Sequence, residues 1–245
     1  MKNPPLIQGT LVSRHQRFLA KIRLPNGKFV DATCNNTGSM KTCNKPGSPV
    51  MLSVDNNPNR KYPYTWELIQ IDGVWVCINT FIPNRLVHRA LKKDTIPELS
   101  GYPNIQTEVK YGENSRVDLL LSRPNQRCYV EVKSVTMVEN GVAYFPDAMT
   151  TRGLKHLQEL TRMVEQGHRA VMFFVIQRND AALFRPAAAI DPLYASGLKE
   201  AYERGVEILA YKTDVGIDEI KLSAAVPFDL DGGEAAPSAT ATDDQ

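Results

Sequence analysis

SRVDLLLSRPNQRCYVEVKS, residues 115–134, carries two apolar runs around a Pro-Asn centre. Pro124 and Asn125 are turn residues, so the stretch reads as a β-hairpin. If the hairpin is symmetric about them, residue numbers that sum to 249 lie opposite one another, and Asp118 faces Glu131. Directly opposed residues hold their Cβ atoms about 4.5–5.5 Å apart, and like charges there destabilise a sheet. Glu131 and Lys133, two apart on one strand, share that face. A divalent cation between the carboxylates resolves the repulsion: Mg²⁺ or Mn²⁺ suits one or two protein carboxylates completed by water and substrate phosphate. Such an ion polarises a phosphoryl oxygen and activates water, with Lys133 orienting that water or stabilising negative charge. The expected catalytic set is therefore Asp118, Glu131 and Lys133, with Asp118 and Glu131 as metal ligands and phosphodiester hydrolysis as the chemistry. Two alternatives stay open. Lys133 pairs with one acid in an ordinary ion pair, or a one-residue slip turns Asp118 to the other face.

Around the hairpin the chain alternates between strand and helix patterns. Strands are expected near 106–111, 116–121 and 128–136, then a helix near 147–166. A buried strand in RAVMFFVIQ, a helix near 192–204 and a last strand in VEILAYK follow. This order describes a mixed sheet flanked by helices. The first helix turns Leu157, Leu160 and Val164 inward and Arg152, Lys155, His156 and Arg162 outward. Arg152 and Lys155 then contact substrate phosphates, and His156 assists proton transfer, unless all three are a solvated face. A second E-x-K, Glu108 to Lys110, lacks a preceding acid at hairpin distance, and Glu108 is retained only as an extra ligand candidate.

The first eighty residues read differently. RFLAKIRL, residues 17–24, puts Phe18, Ala20, Ile22 and Leu24 on one face and Arg17, Lys21 and Arg23 on the other, before a Pro-Asn-Gly turn. Further short strands in KFVDATC, PVMLSVD, TWELIQI and VWVCINT indicate a small β-barrel. Arg14, Arg17, Lys21 and Arg23 are its nucleic-acid-binding candidates. Tyr62, Tyr64 and Trp66 either stack on bases or belong to its core. NRLVHRALKK begins a helix whose Leu86, Val87, Ala90 and Leu91 face inward. The expected divisions are a barrel over 1–82, a second domain over 83–228 and a disordered acidic tail over 229–245.

The net charge of +2 conceals an asymmetry, because five acids and no Lys or Arg occupy residues 222–245. Without those acids the remainder carries +7, which favours a polyanionic partner. Four scattered cysteines form no C-x-x-C pair, arguing against structural zinc, and Cys77 and Cys128 read as small buried hydrophobes. No apolar run of about 18 residues and no secretory leader is evident, so a cytoplasmic protein without membrane association is expected. Homo-oligomer formation is left open.

Several longer motifs, RFLAKI, CNNTGSM, RKYPYTWEL, EVKYGENSRVD, YVEVKSVT and FPDAMTTRGLKHLQEL, together resemble the sugar fermentation stimulation protein family of bacteria and archaea. The resemblance covers about residues 5–225, and the tail after Phe228 falls outside it. It implies an α+β chain, an N-terminal OB-like barrel plus a C-terminal PD-(D/E)XK nuclease-like mixed sheet with flanking helices, whose acid and E-x-K positions match Asp118, Glu131 and Lys133. It also implies DNA binding and a link to regulation of sugar, notably maltose, metabolism. Whether the nuclease-type site cuts DNA, or the fold serves a non-enzymatic DNA-binding regulator as a scaffold, stays open here.

Overall fold

The computed structural model describes residues 1–112 and 115–232. Strands β1 (Leu6–His15), β2 (Leu19–Arg23), β3 (Phe29–Cys34), β4 (Pro49–Val54), β5 (Tyr64–Ile71) and β6 (Val74–Cys77) form the N-terminal sheet in the order β3-β2-β1-β4-β5-β6. A parallel pairing of β3 with β5 closes the first five into a barrel. Its interior holds Leu11, Ala20, Ile22, Val50, Leu52 and Trp66. Trp66 is wholly buried, so in its case the core reading of the aromatic cluster prevails. Phe18 corrects the expected alternation: it precedes β2, whose pairing with β1 starts at Leu19 opposite His15, and it is half exposed. β1 itself was not expected, because a bulge between Leu11 and Ser13 interrupts its pattern.

Helix α1 (Ile82–Lys92) buries Ile82, Leu86, Val87, Ala90 and Leu91 and leads into the second sheet. That sheet contains β7 (Asn104–Tyr111), β8 (Ser115–Arg123), β9 (Gln126–Val135), β12 (Arg169–Ile176), β14 (Glu207–Val215) and β15 (Ile220–Ala225), in the order β15-β14-β12-β9-β8-β7. Three short strands, β10 (Met137–Glu139), β11 (Val142–Phe145) and β13 (Leu183–Pro186), make a small separate sheet. β12 pairs in parallel with both β9 and β14, which explains why its sequence is an unbroken apolar run. VEILAYK corresponds to β14 and is not the last strand, since β15 turns back against it.

Helices α2 (Thr151–Glu165) and α3 (Pro192–Glu203) pack on one face of the sheet. Thr150 caps α2 by accepting from Gly153 N at 2.9 Å, so the helix starts later than the expected residue 147. Asp191 caps α3 through Tyr194 N at 2.9 Å, and its other oxygen accepts Thr150 N at 2.8 Å. One carboxylate thereby fixes the entry of both helices. On the opposite face, α1 and the barrel residues Met51, Leu68 and Cys77 join Val130, Val132, Val171 and Phe173 in one apolar cluster. Barrel and sheet share a core.

Within the segment expected as an acidic tail, Asp229 accepts from Arg185 at 2.8 Å and Asp231 from Lys199 at 2.5 Å. Residues 233–245 lie outside the described residues, as do Glu113 and Asn114 of the EVKYGENSRVD motif. All four cysteines are buried and unpaired, and burial pushes the thiols of Cys77 and Cys128 up to about 12. They are packing groups.

Candidate metal centre

The β8–β9 hairpin adopts the 249 register: Leu119 pairs with Val130 and Arg123 with Gln126. Pairing stops at Leu119, one residue short of Asp118. Instead of continuing the backbone ladder, Asp118 Oδ2 accepts the Val132 N–H at 2.7 Å. On its other side, β7 and β8 pair at Thr107 with Leu119 and at Val109 with Val117, but not at Glu108 with Asp118. Glu108 stands at φ +55°, a left-handed conformation uncommon for a non-glycine strand residue, and is exposed. The sheet is thus distorted on both flanks of Asp118. Asn84 in the first turn of α1 donates to Asp118 Oδ1 at 2.7 Å, tying that helix to the carboxylate.

Glu131 is 3% exposed. Its Oε1 accepts from Lys133 Nζ at 2.8 Å and contacts His156 Nδ1, whereas Oε2 is buried without a hydrogen-bond partner. Arg152 Nε donates to His156 Nε2 at 3.3 Å, so Nε2 is the accepting nitrogen and Nδ1 carries the proton given to Glu131. Lys133 Nζ lies 3.2 Å from the same Nδ1. His156 is therefore not outward as expected. It is 4% exposed and brings α2 onto the acid of β9.

The two carboxylates differ electrostatically. Burial first, and then the negative charge of Glu131, push Asp118 up to about 6, against the opposing pull of Val132 N–H, Lys133 and Asn84. Burial is also the largest influence on Glu131 and acts upward. Hydrogen bonds and charge from His156 and Lys133 together outweigh it and hold Glu131 below the ordinary carboxylate range. Tyr111, whose hydroxyl is buried and unpaired, titrates well above its usual value because of burial and then the charges of Glu131, Glu159 and Asp118.

Glu159, one turn beyond His156 on α2, is 1% exposed, and neither oxygen accepts a hydrogen bond; Lys155 Nζ stands 3.7 Å from Oε1. Arg152 and Lys155 are both exposed on α2. The barrel candidates separate from this centre. Arg14 donates to the carbonyls of Arg17, Asn36, Ser39 and Gly38, at 2.7, 2.8, 3.3 and 2.9 Å for the shortest contact with each. It clamps the barrel loop, which leaves its guanidinium little capacity for a phosphate. Arg17 sits in a turn at φ +62°, and Lys21 and Arg23 remain exposed on β2, with Lys21 Nζ 5.8 Å from the Phe29 ring centre.

The sequence reading missed Asn84 and Glu159 and turned His156 the wrong way. For the α2 pair a signal existed, since His156, Leu157 and Leu160 fall on adjacent positions of one helical face. Among the described residues no group of three or more His, Cys, Asp or Glu forms a ready-made cation cage. The donors still suit a hard cation: two carboxylates, one with a buried unpaired oxygen, match the few protein ligands Mg²⁺ uses.

Architecture and site together define a two-part α+β chain, an OB barrel set against a helix-flanked mixed sheet with an acid and an E-x-K pair where two strands part. Residues 12–78 match the SfsA N-terminal OB domain, and residues 81–219 match the Sugar fermentation stimulation protein RE domain. The chain is 55% identical over 223 residues to the Sugar fermentation stimulation protein homolog of Geobacter sulfurreducens, covering 91% of this chain and 96% of that protein. It is 55% identical over 228 residues to the homolog of Citrifermentans bemidjiense, covering 93% and 99%. The structure of Pyrococcus furiosus SfsA in complex with Ca²⁺ superposes with a TM-score of 0.85 at 28% identity, over 94% of this chain and 98% of that one. The chain belongs to the sugar fermentation stimulation protein family. Among the described residues no helix is long and apolar enough to cross a membrane.

Proposed function

We propose that this chain is a DNA-binding protein, linked to regulation of sugar and maltose metabolism, whose Asp118–Glu131–Lys133 centre binds Mg²⁺ or Mn²⁺ and hydrolyses phosphodiesters. The observation that carries the reading is the buried, unpaired Oε2 of Glu131 beside a second carboxylate. An unpaired buried carboxylate oxygen is costly in the absence of a cation. The Ca²⁺ complex of the Pyrococcus furiosus relative supports a divalent ion in this family, and Mg²⁺ or Mn²⁺ is the working ion proposed here. Asp118 and Glu131 would hold the divalent cation, which would supply Lewis-acid stabilisation of a phosphoryl oxygen.

The chain's own groups divide the remaining work. Asn84 and the Val132 N–H aim Asp118, and His156 orients Glu131. Lys133 offers a proton donor and positive charge to the reacting phosphate. Arg152 and Lys155 on α2, with Arg17, Lys21 and Arg23 on the barrel, supply phosphate contacts. Barrel over 1–82 and sheet domain over 83–228 thus act as strand holder and chemical centre, in the cytoplasm.

The test incubates wild type, Asp118→Ala, Glu131→Ala and Lys133→Ala with single-stranded, duplex and branched DNA in Mg²⁺, Mn²⁺ or chelator. Cleavage by wild type that requires the ion and is lost in all three variants is expected. Salt-sensitive binding without cleavage in any condition replaces the enzymatic reading with that of a non-enzymatic regulator built on the same fold.

A further inference from the structure

The barrel loop of residues 35–38 stands off from the sheet. Between them lies a cleft of about 250 Å³, lined by Asn35, Asn36, Thr80, Ser134, Tyr144 and Phe145 with five neighbours. Its walls are fastened to one another. Ser39 Oγ donates to the Asp147 carbonyl at 2.6 Å, Met40 N to Asp147 Oδ2 at 2.9 Å, and Thr80 Oγ1 to the Asn35 carbonyl at 3.0 Å. At Gly38 an added Cβ would stand 2.6 Å from Asp147 Oδ1, so any side chain there would have to displace the carboxylate that holds Met40 N. The gap is a built feature of the fold.

Position and lining indicate the occupant. Ser134 follows Lys133 on β9, with its side chain on the opposite sheet face, toward the barrel, so the cleft lies across the strand from the candidate centre. Its Oγ is buried with no hydrogen-bond partner, a cost that a ligand edge would relieve. The lining supplies amides, hydroxyls and Tyr144, whereas the Phe145 ring packs against Phe174 and Tyr194 of the core, and Asp147 is already engaged by Met40. Beside Thr80, at the start of α1, Phe81 exposes 61% of its surface, three residues before the Asn84 that holds Asp118. Phe81 does not line the cleft itself but adjoins the lining residue Thr80 in the chain, and an exposed aromatic offers a base a face to stack on. The volume falls below the roughly 300–1,000 Å³ of small-molecule sites and suits one planar heterocycle.

We propose that this cleft takes one unpaired nucleobase of a single-stranded or frayed polynucleotide, its edge met by Asn35, Asn36 and Ser134 and its ring flanked by Phe81. The inference rests on the nucleic-acid reading above and narrows it, because a base must leave its duplex stack to enter.

The test uses the full chain in chelator, so that binding is read without cleavage. Fluorescence anisotropy compares a thymidylate oligomer, an abasic oligomer of the same length and a duplex, for wild type, Phe81→Ala and Ser134→Leu. Wild type should prefer the base-bearing strand over the abasic one by about tenfold, the scale of one stacked base. Both variants should reduce that preference below about twofold while binding the abasic strand as wild type does. If wild type shows no such preference, or Phe81→Ala retains it, the cleft assignment is overturned while nucleic-acid binding stands. If wild type binds none of the three ligands, the nucleic-acid reading itself falls. Phe81→Ala changes an exposed side chain and keeps the test valid should Ser134→Leu fail to fold.

Discussion

Glu131 and Asp118 bear unequal burdens, and titration should expose the difference. A carboxyl raised to about 6 in the fold, against roughly 3.9 in an unfolded chain, keeps its proton longer when folded. Its effect on stability is absent below pH 4, grows as pH rises through the 4–6 window and is a full penalty above it. Asp118→Asn should therefore stabilise the metal-free protein at pH 8 by about 1–3 kcal/mol and leave it unchanged near pH 3.5, as read by urea unfolding at both pH values. His156→Ala works in the opposite direction. It removes a partner from a buried carboxylate and should cost about 1–3 kcal/mol at pH 7 in the same assay. At this scale the sequence was partly legible. Turn chemistry and the two-residue strand period place Asp118, Glu131 and Lys133 together, because both act over a few neighbouring residues. Asn84 and His156 reach the acids from separate helices, and no local pattern states where a helix docks.

The elements that aim these side chains depend on a few polar contacts at their ends. Asp191 serves two helices, whereas Thr150 serves one. Thr150→Ala should cost about 1 kcal/mol and Asp191→Ala about twice that, giving a larger fall in melting temperature for Asp191→Ala. Equal falls would show that the Asp191 link to Thr150 carries no weight. β12 was plain in the sequence because burial on both faces demands a continuous apolar run. β1 was not, since its bulge breaks the alternation and only Gly9 and Leu11 are fully buried. β10, β11 and β13 are three or four residues long, too short to establish a period. The hairpin register was readable, but the distortion around Asp118 was not, because it depends on the Glu108 backbone and the contact from α1.

Across the whole molecule, the shared apolar cluster makes barrel and sheet thermodynamic partners. Leu68 is a barrel residue, 1% exposed, in the cluster that includes Val130 and Phe173 of the sheet. Leu68→Ala should cost about 2–5 kcal/mol. Calorimetry should show one transition moving to lower temperature; a separate barrel transition would mean that the common core does not couple the halves. The same joint sets the barrel loop beside the β9 end and α1 beside Asp118, so the candidate centre is a product of the assembled chain. Two carboxylates, one bearing a buried unpaired oxygen, are the core of the proposal, and a calorimetric titration of Mn²⁺ into the metal-free protein addresses them directly. Wild type should bind saturably, and Glu131→Gln and Asp118→Asn should each weaken binding by tenfold or more, on the order of 1.4 kcal/mol or greater. Absence of saturable binding to wild type, or unchanged affinity in both variants, would contradict the metal centre.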